Sequence, residues 1–238
     1  MAVESEPHPD NGLPVGSRVP DVSTGPRPGP VALEGRYGRV ERLAQHHDKD
    51  LWEAVQGHDD TWTYMSSYGP FPDFPTFSKW VGSRPALEDP YSYAVVEPSG
   101  RAVGISTLME IKPAMRSIEV GHIVYTPALQ RTRLATEAQY LLAKYVFETL
   151  GYRRYEWKCN ALNAPSWRAA LRYGFVFEGT LRQHMIAKGR NRDTAYFSML
   201  DSEWPARKAA FEQWLAPDNF DREGRQRTRL AALNAPPA

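Results

Sequence analysis

The sequence holds one cysteine, Cys159, so an intramolecular disulfide is excluded and a cysteine-built metal site has too few ligands. It has no excess of charge of either sign: 29 Lys+Arg stand against 28 Asp+Glu, a formal net charge of +1. The basic footprint of a nucleic-acid binder is therefore missing. No apolar run approaches the ~20 residues needed to span a bilayer. The first twelve residues carry Glu4, Glu6 and Asp10 and no apolar stretch, unlike a secretory signal. No internal repeat is visible. These absences lead to the expectation of a cytoplasmic protein that uses no metal and binds neither nucleic acid nor membrane, as a monomer or a homodimer.

What is present is material for a sizeable core: 42% hydrophobic and 12% aromatic residues in 238. Residues 1–30 hold seven prolines and four glycines and few large apolar side chains. Such a segment buries too little surface to offset its ordering entropy. It reads as an extended or disordered leader, or as an arm that docks on a partner subunit. Residues 31–216 read as one domain. Residues 217–238 read as a polar, Arg-rich tail with a short helix over Arg225–Leu233.

Within the domain, the patterns predict strands at 36–43, 91–97, 101–111, 117–125, 153–159 and 175–178, and a hairpin at 181–187 and 194–200. Helices are predicted at 47–56, 75–87, 134–150, 165–173 and 203–215. The strongest is the third, with Ala138, Leu141, Leu142, Tyr145, Val146 and Leu150 at helical spacing and Gly151 as its C-terminal stop. The class is mixed α/β.

The informative stretch is 117–138, where a strand ends at Tyr125 and a short loop enters that long helix. The first turn of such a helix exposes unpaired amides at the positive end of its dipole, a site for phosphate. The loop reads Gln130-Arg131-Thr132-Arg133-Leu134-Ala135-Thr136, with two cations and two hydroxyls. A basic helix start on a solvent face accounts for it about as well.

Gln130-x-x-Arg133-x-Ala135 resembles the Gln/Arg-x-x-Gly-x-Gly/Ala motif of the GNAT acyltransferases. Asn160-x-x-Asn163-x-x-Ser166, followed by Gly174-Phe175-Val176-Phe177-Glu178-Gly179, resembles the RimJ/RimL-type branch that acylates ribosomal-protein N-termini. The two motifs occur in order and on the expected elements. The resemblance covers about residues 33–215. It implies a mostly antiparallel mixed sheet, splayed near its middle, with helices on both faces. It also implies acetyl-CoA or another acyl-CoA as co-substrate, an amine acceptor, and direct transfer in a ternary complex. The loop 130–136 would then hold the pyrophosphate and the backbone of Ile123, Val124 and Tyr125 the pantetheine. At the inner glycine position stands Arg133, which is expected either to crowd the backbone approach or to replace an amide contact.

Amide acylation needs a neutral amine and a protonated leaving thiolate. Glu119 is the first candidate base and His122 its rival; a structural role is about as expected for the first and more so for the second. The tyrosine that many relatives use as acid is replaced by Ala170, so Ser166, one helical turn earlier, is the candidate acid, with helix capping as the plain alternative. Asn163 is expected to cap the same helix or hold the thioester. Trp62 and Tyr64 represent an aromatic segment expected at one wall of the acceptor cleft, facing Arg182 and His184 on the late hairpin. The acyl group could be acetyl or succinyl-like; a succinyl carboxylate would need a further cation, with Arg116, Arg182 and His184 in view. The competing class is a non-catalytic acyl-CoA sensor on the same fold, favoured by Arg133 and Ala170.

Overall fold

A computed structural model describes residues 4–235. The first three and last three residues, and with them the ends of the leader and tail, lie outside the described residues. A small exposed hairpin comes first, β1 (Ser5–Pro7) with β2 (Pro14–Gly16). Then follow β3 (Leu33–Glu34), β4 (Arg39–Arg42), α1 (Asp48–Val55), α2 (Phe74–Ser83), β5 (Tyr91–Val96), β6 (Ala102–Lys112) and β7 (Ser117–Tyr125). The second half is α3 (Arg133–Lys144), β8 (Arg154–Asn160), α4 (Ala164–Arg172), β9 (Val176–Ala187), β10 (Arg190–Leu200), α5 (Trp204–Leu215) and α6 (Leu230–Leu233).

Eight strands form one sheet in the order β3-β4-β5-β6-β7-β8-β10-β9. Every pairing is antiparallel except β7 with β8. Two apolar clusters cover its faces. One gathers Leu43, Leu51, Val55, Trp62, Phe77 and Val81 from the α1/α2 side. The other gathers Leu134, Ala138, Leu142, Val146, Trp157, Phe197 and Phe211 around α3 and α5. Side chains alternate across β8: Tyr155, Trp157 and Cys159 join the α3 core, which turns Arg154, Glu156, Lys158 and Asn160 to the α1/α2 face.

Several boundaries shift from the sequence expectation for local reasons. The strand expected from Arg36 begins at Arg39, because Glu137 of α3 takes the Arg36 and Tyr37 amides at 2.7 Å each. Gly35 lies so close to that carboxylate that a Cβ there would come within 2.4 Å of it. Helix α2 stops at Ser83 and gives way to a tighter turn, Arg84–Ala86, since Pro85 offers no amide to continue it. Helix α3 ends at Lys144 and closes with a wide turn over Tyr145–Thr149 before Gly151, whose φ of 64° reverses the chain. The strand expected at 175–178 and the first arm of the late hairpin are one continuous strand, β9.

Parts of both terminal segments pack onto the domain. Past β2, Arg116 binds Asp21 and Ser23, the Gly25 amide donates to the Pro113 carbonyl, and the Gly29 amide donates to the Tyr145 hydroxyl at 2.9 Å. The segment expected as a tail lies over α4 and α5: Phe220 meets Trp214 edge-on, and Asn234 donates to the Arg172 carbonyl at 3.0 Å. Its helix is shorter than expected, covering only Leu230–Leu233.

Glu137 ties α3 to the start of β4 from a buried position. Glu137→Ala leaves two amides without their acceptor and should lower unfolding free energy by about 2–4 kcal/mol in urea titrations. A loss below about 0.5 kcal/mol would mean that water replaces the carboxylate.

Candidate active site

The site begins where the sheet stops pairing. Strands β7 and β8 are in register from Ser117–Arg154 to Val120–Trp157 and no further, although β7 runs on to Tyr125 and β8 to Asn160. On its other side β7 stays joined to β6, but with a bulge: Thr107 pairs with Gly121 and Ile105 with Val124, so His122 and Ile123 together face Ser106. His122 takes a left-handed conformation, φ 46°, that accommodates the extra residue. The β8-facing edge of Gly121–Tyr125 is thus left without a strand partner. A Cβ at Gly121 would meet the Met109 sulfur at 2.6 Å and Glu119 Oε1 at 2.8 Å, so both side chains would have to shift to admit one.

The loop after β7 leads directly to the α3 N-terminus. Thr132 is the N-cap, and its hydroxyl accepts from the Ala135 amide at 3.0 Å. The amides of Arg133 and Leu134, in the first turn, have no partner within the helix. Gln130 donates to the Tyr125 carbonyl at 2.8 Å, which takes one backbone group expected to serve a ligand. Thr136 accepts from Arg172 at 3.1 Å. Arg131 is exposed. Arg133 neither crowds the loop nor reaches into it; its guanidinium stacks 3.9 Å from the Phe220 ring centre.

Glu119 is buried on the α1/α2 face. Its carboxylate meets Lys158 Nζ at 2.8 Å, and the same ammonium meets Glu156 at 3.0 Å. Burial pushes the Glu119 carboxyl up to about 7, against the pull of Lys158. Burial also disfavours charge on Lys158 and Glu156, but the ion pairs outweigh it and keep both ionised. One more proton therefore resides on the trio or leaves it near neutral pH. His122 stands edge-on to Tyr68, ring centres 5.2 Å apart. Burial, then the charges of Arg84 and Arg192, push it down to about 4, so its imidazole is neutral at pH 7.

Across the splay, on the α3 side, Asn163 caps α4 by accepting from the Ser166 amide at 3.1 Å. Ser166 is therefore not the cap. Its hydroxyl accepts from the Trp157 indole at 3.0 Å, which leaves its own proton free to donate. Ala170 is fully buried.

The aromatic segment divides in two. Trp62 is 2% exposed and packs Phe71, Phe77 and Trp80, so its ring belongs to the core rather than to a cleft wall. Tyr64 is exposed at 38%. Tyr68 is the ring that reaches His122, and Trp80 packs against Tyr68 with ring centres 4.8 Å apart. The tip of the β9–β10 hairpin crosses to this segment, where Lys188 donates to the Trp62 carbonyl at 2.8 Å. His184 stays beside its own hairpin, 3.0 Å from the Thr194 hydroxyl, and Arg182 is exposed. Arg116 is bound to the N-terminal arm and takes no part. Sequence reasoning missed Lys158, Arg84 and Arg192; the alternation of β8 was the available signal for the first.

One group of potential metal ligands occurs among the described residues, Glu41, His46 and His47. The Ala44 amide donates to His47 Nδ1 at 3.0 Å, so Nε2 carries the proton and donates to Glu41. That arrangement is a helix-start hydrogen-bond network with no lone pair spare on His47.

Residues 40–176 match the family described as the acetyltransferase (GNAT) domain. A GCN5-related N-acetyltransferase from Brucella melitensis superimposes with a TM-score of 0.86 at 46% identity, over 89% of this chain and 97% of that one. A probable GNAT-family acetyltransferase from Chromobacterium violaceum gives 0.76 at 42% identity, over 82% and 98%. The Bacillus subtilis protein YdaF, whose name proposes a ribosomal N-acetyltransferase, is 28% identical over 109 residues. That match spans 46% of this chain and 59% of YdaF.

A carboxyl raised in the folded chain binds a proton that the unfolded chain has released. Glu119 thus favours folding below its ordinary value of 4.5 and loses that contribution as pH rises to about 7. The urea midpoint of the wild type should fall between pH 5 and 7 relative to Glu119→Gln, whose curve lacks this slope. Parallel curves would show that Glu119 is ionised throughout.

Proposed function

The chain belongs to the GNAT acetyltransferase family, and from that premise we propose that it transfers an acetyl group from acetyl-CoA to a primary amine, both bound at once in the splay. The observation that carries this reading is the end of β7–β8 pairing at Val120 and Trp157, contiguous in the chain with the capped α3 start. Buried backbone groups require partners. The unpaired edge of Gly121–Val124 fits an extended, amide-bearing arm, and the amides of Arg133 and Leu134 fit its phosphates. Thr132, Gln130, Thr136 and Ala135 shape that loop, while Arg131 adds charge from its exposed position.

Holding both reactants in one cleft supplies proximity without an acyl-enzyme. Glu119, ionised through Lys158 and close to neutrality, takes the proton that the amine loses on attacking the thioester carbonyl. His122, neutral and half-buried, is the second acceptor within the same bulge. As the C–S bond breaks, the Ser166 hydroxyl protonates the thiolate from the α3 side. The relationship to YdaF favours a peptide N-terminus as the amine. The buried Ala170 in place of a tyrosine favours a second reading, an acyl-CoA sensor that binds without turnover.

Acetyl-CoA at 100 times its Kd should stabilise the protein by about 2.7 kcal/mol, with no shift from ATP. Glu119→Gln should lower kcat by about 10²-fold or more with little change in KM, and His122→Asn by less. An unchanged melt with acetyl-CoA overturns the family function for this chain. A shift with no CoA release on a panel of amines and peptides favours the sensor.

A further inference from the structure

The α1/α2 face of the splay holds more cationic donors than it uses. Arg84 follows α2, and its Nε and Nη2 donate only to the neighbouring Ser83 hydroxyl, at 3.1 and 2.9 Å. Its guanidinium lies 5.5 Å from the Trp80 ring centre. Trp80 packs on Tyr68, and Tyr68 on His122, so Arg84, the two rings and His122 form one contiguous wall. From the opposite side comes Arg192 on β10. It shares the face of Thr194 and Tyr196, which pair with Asn160 and Lys158. The hairpin that carries it is fixed over the same aromatic cluster by Lys188.

Among the described residues, neither Arg84 nor Arg192 has a carboxylate within ion-pair distance. Arg192 Nε and the Trp80 indole nitrogen are both buried with no hydrogen-bond partner. Native structures rarely leave buried donors unpaired, and each such group is costly unless something else satisfies it. The acids near this wall are already engaged. Glu119 and Glu156 bind Lys158, and Asp193 accepts from the Gln183 amide and the Asn191 side chain. Lys188 spends its ammonium on the Trp62 carbonyl. His122, held neutral first by burial and then by the charges of Arg84 and Arg192, offers an acceptor for an amine and leaves the cations unneutralised.

We infer that Arg84 and Arg192, with the Trp80 indole, form a subsite for a carboxylate carried into the acyl-transfer cleft by one of the two reactants. Guanidinium pairs suit this role because their planar donors match a carboxylate in two directions. The carboxylate could belong to the acceptor, as in an amino acid or acidic peptide, or to the acyl group, as in a succinyl donor. The chemistry recognised is the same. This rests on the reading that the splay is the transfer site, but it is tested by binding alone, so absent turnover leaves the test intact.

The test is isothermal titration of the full chain with matched pairs. One pair is 4-aminobutyrate and n-butylamine, each with and without CoA present; the other is succinyl-CoA and acetyl-CoA. The expected result is at least a tenfold preference for the carboxylate-bearing member of one pair, and loss of most of that preference in Arg192→Gln and in Arg84→Gln. Preference within the amine pair puts the carboxylate on the acceptor; preference within the thioester pair puts it on the acyl group. A wild type with no preference in either pair overturns the inference, and so does a preference that both variants retain. Melting curves of each variant check folding, and a variant that fails to fold leaves the other to decide.

Discussion

The site depends on one break in hydrogen bonding, the end of β7–β8 pairing after Val120 and Trp157. A parallel pair inside a sheet normally runs on until one strand ends. Here both strands continue, and the cause of their divergence lies on the far side of β7, in the bulge against β6. Two residues facing one bends the strand and increases its twist. His122 absorbs the change in a left-handed conformation, and Gly121 before it permits the close approach of Met109 and Glu119. Each face has its own apolar cluster, so the sheet is held from both sides while its middle opens. The opening thus coincides with the bulge and with packing on both faces.

Electrostatics divides that opening into unlike parts. Near the last paired residues, Lys158 is clamped between Glu119 and Glu156, and the trio carries one more acid than base. Desolvation makes the second negative charge expensive, so a proton is shared out close to neutrality. Farther along, Arg84 and Arg192 stand without acids, and burial, with their fields added, holds His122 neutral. On the same sheet face Arg154, by contrast, bridges Glu156 and Glu178. The contrast sets Arg84 and Arg192 apart from ordinary paired surface charge.

Much of the fold was legible because its signals are local. The 3.6-residue spacing from Leu134 onward, the Thr132 cap and the glycine after α3 all act within a few residues of where they are read. The loop into α3 was legible for the same reason, and the likeness to GNAT motifs supplied the splay. What could not be read depends on distant neighbours. Composition marked the segment of Trp62 and Tyr64 as aromatic but could not say that Trp62 is core while Tyr68 stands against His122. Lys158 looked like any strand lysine until β7 brought Glu119 alongside. Arg192 looked like one of several hairpin cations until its nitrogen proved buried and unpaired. The Pro-rich leader was expected to bury too little surface to pack; Gly25 and Gly29 instead supply backbone groups that Pro113, Tyr93 and Tyr145 hydrogen-bond.

Arg133 shows how such distant contacts decide a local question. At the inner glycine position of the loop, a long side chain pointing inward would occupy the space above the first-turn amides. The chain avoids this by giving the guanidinium a better place outside. The segment after α5 folds back so that Phe220, itself held by Trp214, presents its ring 3.9 Å from the charge. Gly224 lies behind, where a Cβ would stand 3.6 Å from the Arg133 Nη2. A partly exposed cation over an aromatic face is worth on the order of 0.5–1 kcal/mol, enough to favour one rotamer. The C-terminal segment thus belongs to the geometry of the loop, although the two are far apart in the chain. The space above the first turn of α3 is thus left clear by directing the arginine away.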